Sequence, residues 1–187
     1  MPDEETLEEL VTLEREMMDT DYRSRVEGKM IIIDQCEVDA LVRKNELCQN
    51  MKTRNDAIDF IVMNTLLFHE AQQRGLLADE KEIWTMIQEQ KDMDFSEASK
   101  EEFEKYAGRL GMTADELWDA QYDAYFLHRT LVNFWDDVLA QRFGEGTQYI
   151  ADTQYLDEDA KKLQEEVDTF TKEYYENIKA KYVIVIE

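Results

Sequence analysis

The scarcity of helix-breaking residues is the feature of this sequence that most constrains its fold. The 187 residues include one proline, Pro2, and six glycines. Proline lacks a backbone hydrogen-bond donor and glycine has a high conformational entropy, so long stretches without either residue favour helices. Hydrophobic residues make up 43% of the chain, which is enough for a substantial core. The sequence therefore predicts a mainly α-helical protein of about the size of one domain.

The spacing of apolar residues predicts several of the helices directly. Residues 3–27 carry apolar residues at helical spacing and are followed by Gly28, so they predict an amphipathic N-terminal helix. The same spacing predicts a helix over 35–49 and a last helix over about 157–181. The segment 55–74 is apolar on most sides, which is typical of a buried, central helix.

Capping residues predict the other helix boundaries. A side-chain acceptor followed three residues later by glutamate can satisfy the free amides at the start of a helix. This pattern occurs at Asp79 with Glu82, at Ser99 with Glu102 and at Thr113 with Glu116. The last pair precedes an apolar run over 117–143, which we interpret as one long helix. Gly75 and Gly111 stand where a left-handed residue would end a helix.

Two short aliphatic runs indicate strands. One is MIIID at 30–34, and the other is the YVIVIE segment that contains residues 182–186. Both are too short for helices, and isolated short strands are not stable on their own. We therefore expect 30–34 to pair with 182–186. The predicted fold is mainly α, with a small two-stranded β element that joins the N-terminal region to the C-terminus.

The net charge limits the classes of partner. The chain carries 44 acidic and 21 basic residues, a formal charge of −23. Binding to nucleic acids or to anionic membranes requires clustered basic residues, so neither partner is expected. An acidic surface instead favours basic partners. The first ten residues lack the features of a signal peptide, so we expect a cytoplasmic protein from the sequence as it stands, or an exported one if a signal peptide has been removed.

The adjacent His69 and Glu70 could open the zinc-binding motif H-E-x-x-H. The fifth position of that motif is Gln73, so the second histidine ligand is missing. His128 also lacks the Glu-x-x-His spacing of di-iron bundles. We therefore expect no metal and no cofactor. Because the chain has so many carboxylates, none stands out as a general acid, and the protein is predicted not to be an enzyme.

Two longer segments, 57–91 and 101–135, carry the pattern of a known family. The first is a buried helix ending in Ala-x-x-x-Gly, then an apolar residue and a capped acidic helix, with the matching residues Ala71, Gly75, Leu76, Asp79 and Glu82. The second is a short helix, a glycine turn and a long helix, with the matching residues Phe103, Leu110, Gly111, Met112, Thr113, Glu116 and Trp118. Over residues 30–143 the chain resembles the N-terminal domain of SurA-type chaperones and related foldases of Gram-positive bacteria.

The resemblance implies how the chain is organised. Residues 1–29 would form the N-terminal amphipathic helix, 30–143 the SurA-like helical domain, and 144–187 a loop, helix and strand that complete the same domain. The segment IIIDQCEVD departs from the Asn-Gly that usually follows the first strand of the family. A parvulin-type prolyl isomerase domain often follows the long helix in this family. The residues after Phe143 are too few for such a domain, so no isomerase activity is expected.

The resemblance implies a non-catalytic, chaperone-like module of the SurA and trigger-factor class. Its partners would be unfolded or extended polypeptide segments, with basic segments favoured by the charge. The alternative is an acidic interaction protein, of the immunity or inhibitor type, that neutralises one basic protein. Met93 and Phe95 lie in the polar stretch EQKDMDFSEASKEE, where apolar residues have little reason to be buried. We predict that they form the peptide-binding surface, with Tyr106, Trp118 and Tyr122 behind them.

Overall fold

The structure is a computed structural model that describes residues 4–19, 25–48, 53–93, 95–147 and 158–187. The described residues form the helices α1 (Glu4–Asp19), α2 (Gln35–Leu47), α3 (Arg54–Arg74), α4 (Glu80–Lys91), α5 (Glu97–Leu110), α6 (Ala114–Asp119), α7 (Tyr122–Phe143) and α8 (Glu158–Lys179). They also form the strands β1 (Arg25–Glu27), β2 (Met30–Ile33) and β3 (Val183–Ile186). The prediction of a mainly helical fold is confirmed.

The three strands form one sheet in the order β1-β2-β3. The pairing between β2 and β3 is parallel and sets Met30 opposite Val183 and Ile33 opposite Ile186. The predicted pairing of 30–34 with 182–186 is thereby confirmed. The ladder continues past β3, because the amide of Gln35 donates to the carbonyl of Glu187 over 2.7 Å.

The predicted helix over 3–27 is wrong in its last part. Helix α1 ends at Asp19, and residues 25–27 form strand β1, which pairs with β2 in antiparallel orientation. Residues 20–24 of the predicted helix lie outside the described residues. Gly28 does not cap a helix; it has φ +60° and lies in the turn between β1 and β2. Val26 fits both a helical spacing and the middle of a short strand. Residues 25–27 form a strand because they can pair with β2.

Helix α3 lies at the centre of the core, as its apolar composition predicts. On one side, Ile61, Val62 and Leu66 pack against the buried strand residues Ile31 and Ile33. Its remaining buried residues belong mainly to a second cluster, which contains Leu67, Ala71, Phe134 and Val138 and so joins α3 to α7. The sheet and the long helices therefore share one central helix.

The helix caps agree with the sequence at most positions. Thr113 and Glu116 form the predicted capping box, in which the Thr113 amide donates to the Glu116 carboxylate over 2.8 Å. Gly75 and Gly111 have φ of +71° and +80° and end α3 and α5 as predicted. Asp79 caps α4, because its carboxylate accepts from the Glu82 amide.

Two predicted helix boundaries are wrong. Helix α5 is capped by Ser96 rather than by Ser99, because the Ser96 hydroxyl accepts from the Ser99 amide over 3.2 Å. Ser99 therefore lies in the first turn of the helix. The predicted single helix over 117–143 is also interrupted, since α6 ends at Asp119 and α7 begins at Tyr122.

The register between β2 and β3 provides a matched pair of substitutions. Ile33 and Ile186 are partners in the ladder, but Ile33 is fully buried and Ile186 is 40% exposed. Ile33→Ala leaves a cavity, so we expect it to lower the free energy of unfolding by about 2–5 kcal/mol. Ile186→Ala should lower it by about 1 kcal/mol or less, as for an exposed edge position. Equilibrium urea denaturation measures both values, and equal losses would contradict the exposed position of β3.

Candidate functional site

One apolar cleft brings several of the predicted binding residues together. It lies between the end of α4, the connection that follows it, α5 and α6, and has a volume of about 360 Å³. Its lining consists of Lys91, Met93, Phe95, Ser99, Lys100, Phe103, Glu104, Ala114, Asp115 and Trp118. We refer to these residues as the apolar cleft. Its volume falls at the lower end of the range of about 300–1,000 Å³ that is usual for ligand-binding pockets.

An aromatic pair forms one wall of the apolar cleft. The rings of Phe103 and Trp118 are stacked, with their centroids 4.9 Å apart and an angle of 30° between their planes. Phe103 also packs against the core cluster that joins α1 to α5 and α6, and Trp118 against the cluster around Ile83 and Ile87. Each ring is therefore held by the core on one side, so the wall is formed before any ligand arrives.

The connection between α4 and α5 supplies the opposite, adaptable side. Met93 is 50% exposed and Phe95 is half-buried. The amide of Phe95 donates to the carbonyl of Met93 over 2.9 Å, and Ser96 then starts α5. A methionine side chain has several flexible bonds and a polarisable sulfur, so Met93 can adapt to ligands of different shape.

Lys91 lines the apolar cleft and connects α4 to α6. Its ammonium lies 2.8 Å from the Asp119 carboxylate and 3.8 Å from that of Asp115, and only 17% of its side chain is exposed. The hydrogen bond to Asp119 raises the pKa of Lys91 despite the partial burial, so the ammonium stays charged at neutral pH. The two ion pairs hold the end of α4 in place beside Trp118.

The charges around the apolar cleft are predominantly acidic. The two lysines of the lining, Lys91 and Lys100, already contact Asp119 and Glu97 respectively. Glu104 and Asp115 add two more carboxylates, and the Asp115 side chain is 83% exposed. A ligand entering the cleft therefore meets an apolar surface with a negative rim.

The five residues predicted for binding are divided between three places. Met93, Phe95 and Trp118 line the apolar cleft, but Tyr106 and Tyr122 do not. The Tyr106 hydroxyl donates to the carboxylate of Glu14 on α1, and burial raises the pKa of Tyr106 well above its ordinary value. Tyr122 packs against the core cluster of Ala78, Ile83 and Ile87.

Tyr122 belongs to an aromatic row between α4 and α7. Its ring centroid is 4.9 Å from that of Trp84 and 6.0 Å from that of Phe126. In one continuous helix, Trp118 and Tyr122 would follow each other on the same face. The break between α6 and α7 falls between them, and only Trp118 reaches the apolar cleft.

The sequence did not identify Phe103 as a binding residue. It lies at a helical spacing with Tyr106 and Leu110, which predicts a core position. Its stacking on Trp118 depends on how α5 and α6 fold back on each other around the left-handed turn at Gly111. The sequence feature that could have indicated this contact is an aromatic residue in each of two short helices separated by a glycine turn.

The His69–Glu70 pair lies beside the sheet and away from the apolar cleft. The His69 ring makes an edge contact with the Tyr182 ring, with the centroids 6.4 Å apart. Burial raises the pKa of Tyr182, and the negative charge of the nearby Glu70 raises it further. The described residues contain no cluster of three or more side chains able to hold a metal ion. In the described ranges, no helix has the length and apolar character that crossing a bilayer requires.

Tyr106→Phe tests whether Tyr106 is structural. It removes the hydrogen bond to Glu14, so we expect the free energy of unfolding to fall by about 1–2 kcal/mol. The raised pKa keeps the phenol of the folded protein neutral. The stabilisation by this hydrogen bond is therefore complete below pH 10, the ordinary pKa of tyrosine, and declines as the pH rises above that value. Urea denaturation at neutral pH measures the loss. Weaker ligand binding without any loss of stability would instead assign Tyr106 to the binding site.

The lining of the apolar cleft combines apolar and charged side chains. Its one lining hydroxyl, on Ser99, lies 2.8 Å from the Ser96 hydroxyl within the cap of α5. The lining offers two aromatic rings in a stack, a flexible thioether and the carboxylates of Glu104 and Asp115. Comparison of this chain with protein-family models, with curated proteins and with solved structures gives no significant match.

Proposed function

We propose that the apolar cleft binds unfolded or extended segments of other polypeptides. The protein would then be a non-catalytic, chaperone-like binding module of the SurA and trigger-factor class. The observation that carries this proposal is the half-exposed Met93 in the same cleft as the stacked rings of Phe103 and Trp118. Large apolar side chains that share a cleft on an otherwise acidic surface are expected to bind a ligand, because exposed apolar patches rimmed by polar residues mark interaction sites.

The dimensions of the apolar cleft suit an anchoring side chain. A volume of about 360 Å³ can accept a large apolar residue of a peptide, while the rest of the peptide stays outside. Binding energy is usually concentrated in such anchors, which are often aromatic. A single small anchor site corresponds to weak affinity, in the micromolar range or about −8 kcal/mol.

The combination of a fixed and an adaptable wall favours a broad choice of ligands. The Phe103–Trp118 wall is held by the core on both helices, so it loses little entropy on binding. Met93 and Phe95 lie on a short connection and can repack around different side chains. These properties suit a chaperone, which has to hold many sequences weakly.

The acidic rim and the net charge favour peptides with basic residues next to the anchor. Glu104 and Asp115 lie at the apolar cleft, and the whole chain has a formal charge of −23. Such a field mainly accelerates encounter with a positively charged ligand, while apolar contacts supply most of the affinity.

The same charge supports a second candidate function. An immunity-type or inhibitor-type protein would use its acidic surface to neutralise one basic protein, and the apolar cleft would then be incidental. The two functions differ in what provides the affinity, because ion pairs in solvent are screened by salt and apolar contacts are not. They also differ in range, since a chaperone holds several unrelated clients and an inhibitor holds one.

Removing the adaptable wall should weaken peptide binding. The probe is a fluorescent, unstructured peptide with two aromatic residues flanked by lysines. In the double variant Met93→Ser with Phe95→Ser we expect at least a tenfold weaker affinity, because burial of each large apolar side chain is worth about 1.5–3 kcal/mol. Leu163→Ser with Phe60→Ser is a matched control that removes two side chains exposed by 44% and 46% away from the cleft. Fluorescence anisotropy measures affinity, and circular dichroism checks the fold.

Salt separates the two candidate functions. We expect that raising the ionic strength from about 0.01 to about 0.15 M slows association of the same peptide but leaves most of the affinity. Stopped-flow and equilibrium anisotropy measure the two quantities. If the affinity disappears at moderate salt and the Met93→Ser, Phe95→Ser variant binds normally, charge is the recognition element and the inhibitor-type function is the better account. Delayed aggregation of several unrelated unfolded proteins would support the chaperone function.

A further inference from the structure

The exposed side of Trp84 is an aromatic surface outside the apolar cleft. Trp84 is 43% exposed and is the most exposed of the three tryptophans. Its ring packs on the Tyr122 ring, with the centroids 4.9 Å apart and an angle of 31° between the planes. Tyr122 is in turn held by Phe126 and by the core cluster that contains Ile83 and Ile87. The pair is therefore a fixed aromatic surface with one open side, which we refer to as the Trp84–Tyr122 platform.

Carboxylates lie beside the Trp84–Tyr122 platform. Glu80 precedes Trp84 by one turn of α4, and Asp123 follows Tyr122 in the first turn of α7. Burial raises the pKa of Tyr122, and the negative charges of Glu80, Asp123 and Asp79 raise it further, as expected for carboxylates near this ring. Among the described residues, Glu80 has no ion pair, and no arginine or lysine lies over either ring. The platform thus combines aromatic rings and negative charge without a positive partner.

A guanidinium group matches this combination of an aromatic face and a carboxylate. The planar cation of arginine stacks on aromatic rings within about 6 Å of the ring centroid, and tryptophan gives the strongest attraction. The same group can donate two parallel hydrogen bonds to a carboxylate beside the ring. A lysine ammonium is more strongly hydrated and lacks the flat surface that stacks. The ligand group expected on the platform is therefore the side chain of an arginine.

The Trp84–Tyr122 platform and the apolar cleft lie on the same side of α4. Trp84 and Lys91 are seven residues apart on this helix, which is almost two turns, so their side chains leave it in nearly the same direction. Trp84 contacts Tyr122 at the start of α7, while Lys91 lines the cleft and pairs with Asp119 of α6. At a rise of about 1.5 Å per residue, Trp84 and Lys91 are about 10 Å apart along the helix. One short peptide segment can therefore reach both places.

We infer that the peptides bound at the apolar cleft carry an arginine three positions from their apolar anchor, and that this arginine binds the Trp84–Tyr122 platform. The inference rests on the proposed function, because the anchor occupies the cleft. The spacing follows from the polyproline II conformation, which is common in unfolded chains and has about three residues per turn and a rise of about 3.1 Å per residue. Side chains three positions apart then share one side at a separation of about 9 Å. In a β-strand, positions on one face are about 7 or about 13 Å apart, which fits the separation less well.

A matched set of peptides tests the arginine and its spacing. Each fluorescent, unstructured peptide has one phenylalanine as the anchor and one arginine that is one, three or six positions away. A partner peptide carries citrulline, the neutral analogue of arginine, at the same place. At an ionic strength of about 0.15 M, charges more than about 8 Å apart are largely screened. We expect arginine to tighten binding about fivefold at the spacing of three and by less than about twofold at the other spacings, as measured by fluorescence anisotropy.

Variants of the platform test where the arginine binds. Trp84→Leu keeps an apolar side chain but removes the aromatic face, and Glu80→Gln removes the adjacent charge. Each should reduce the advantage of arginine over citrulline from about fivefold to less than about twofold. Glu89→Gln is the matched control, because it removes the same charge from another side of α4, beside Thr85 and Met86, and should leave the advantage unchanged. The ratio of the two affinities cancels any general loss of binding, and circular dichroism checks that each variant is folded.

The results distinguish this inference from the proposed function. If Met93→Ser with Phe95→Ser weakens the binding of both peptides while Trp84→Leu leaves the arginine advantage at about fivefold, the cleft binds peptides but the platform does not bind arginine. An equal gain from arginine at every spacing would also overturn the inference, because net charge alone would explain it. If neither peptide responds to the Met93→Ser, Phe95→Ser variant, the proposed function fails, and the inference fails with it.

Discussion

Burial of helix α3 is the constraint on which the rest of the structure depends. Its apolar residues face two directions, towards the sheet through Ile61, Val62 and Leu66 and towards α7 through Leu67 and Ala71. A helix that is apolar on most sides cannot be stable at a surface, so other elements must cover it. The sheet covers one side through Ile31 and Ile33 of β2, and β2 in turn pairs with β3. The parallel pairing and the central helix therefore stabilise each other.

The candidate site lies at the edge of this core. Phe103 and Trp118 each pack on a separate core cluster and turn their remaining surface to the apolar cleft. The same contacts that stabilise α5 and α6 therefore also build the rigid wall of the site. Met93 and Phe95 lie in a connection outside the core clusters, so we expect the fold to tolerate their replacement. This separation between a rigid wall and an adaptable wall is what a site for varied peptides requires.

The strong negative charge bears on the proposed peptide binding, because it should attract basic ligands to the apolar cleft. The individual ion pairs of the surface are mostly exposed and contribute little to stability. Lys91 is an exception, because its side chain is only 17% exposed and its ammonium joins α4 to α6 next to the cleft. We therefore expect the long-range field, rather than particular ion pairs, to set how peptide binding responds to salt.

The sequence by itself determined the elements whose stability is local. Glycines at the ends of α3 and α5, the capping box at Thr113, the apolar α3 and the two aliphatic strands were all predictable because each depends on neighbours within about one turn or on a simple pattern. Only the tertiary structure decided that 25–27 is a strand, that α6 and α7 are separate, and that Phe103 joins Trp118 while Tyr106 and Tyr122 leave the site. These outcomes depend on contacts between residues far apart in the chain, where one apolar pattern is compatible with several partners.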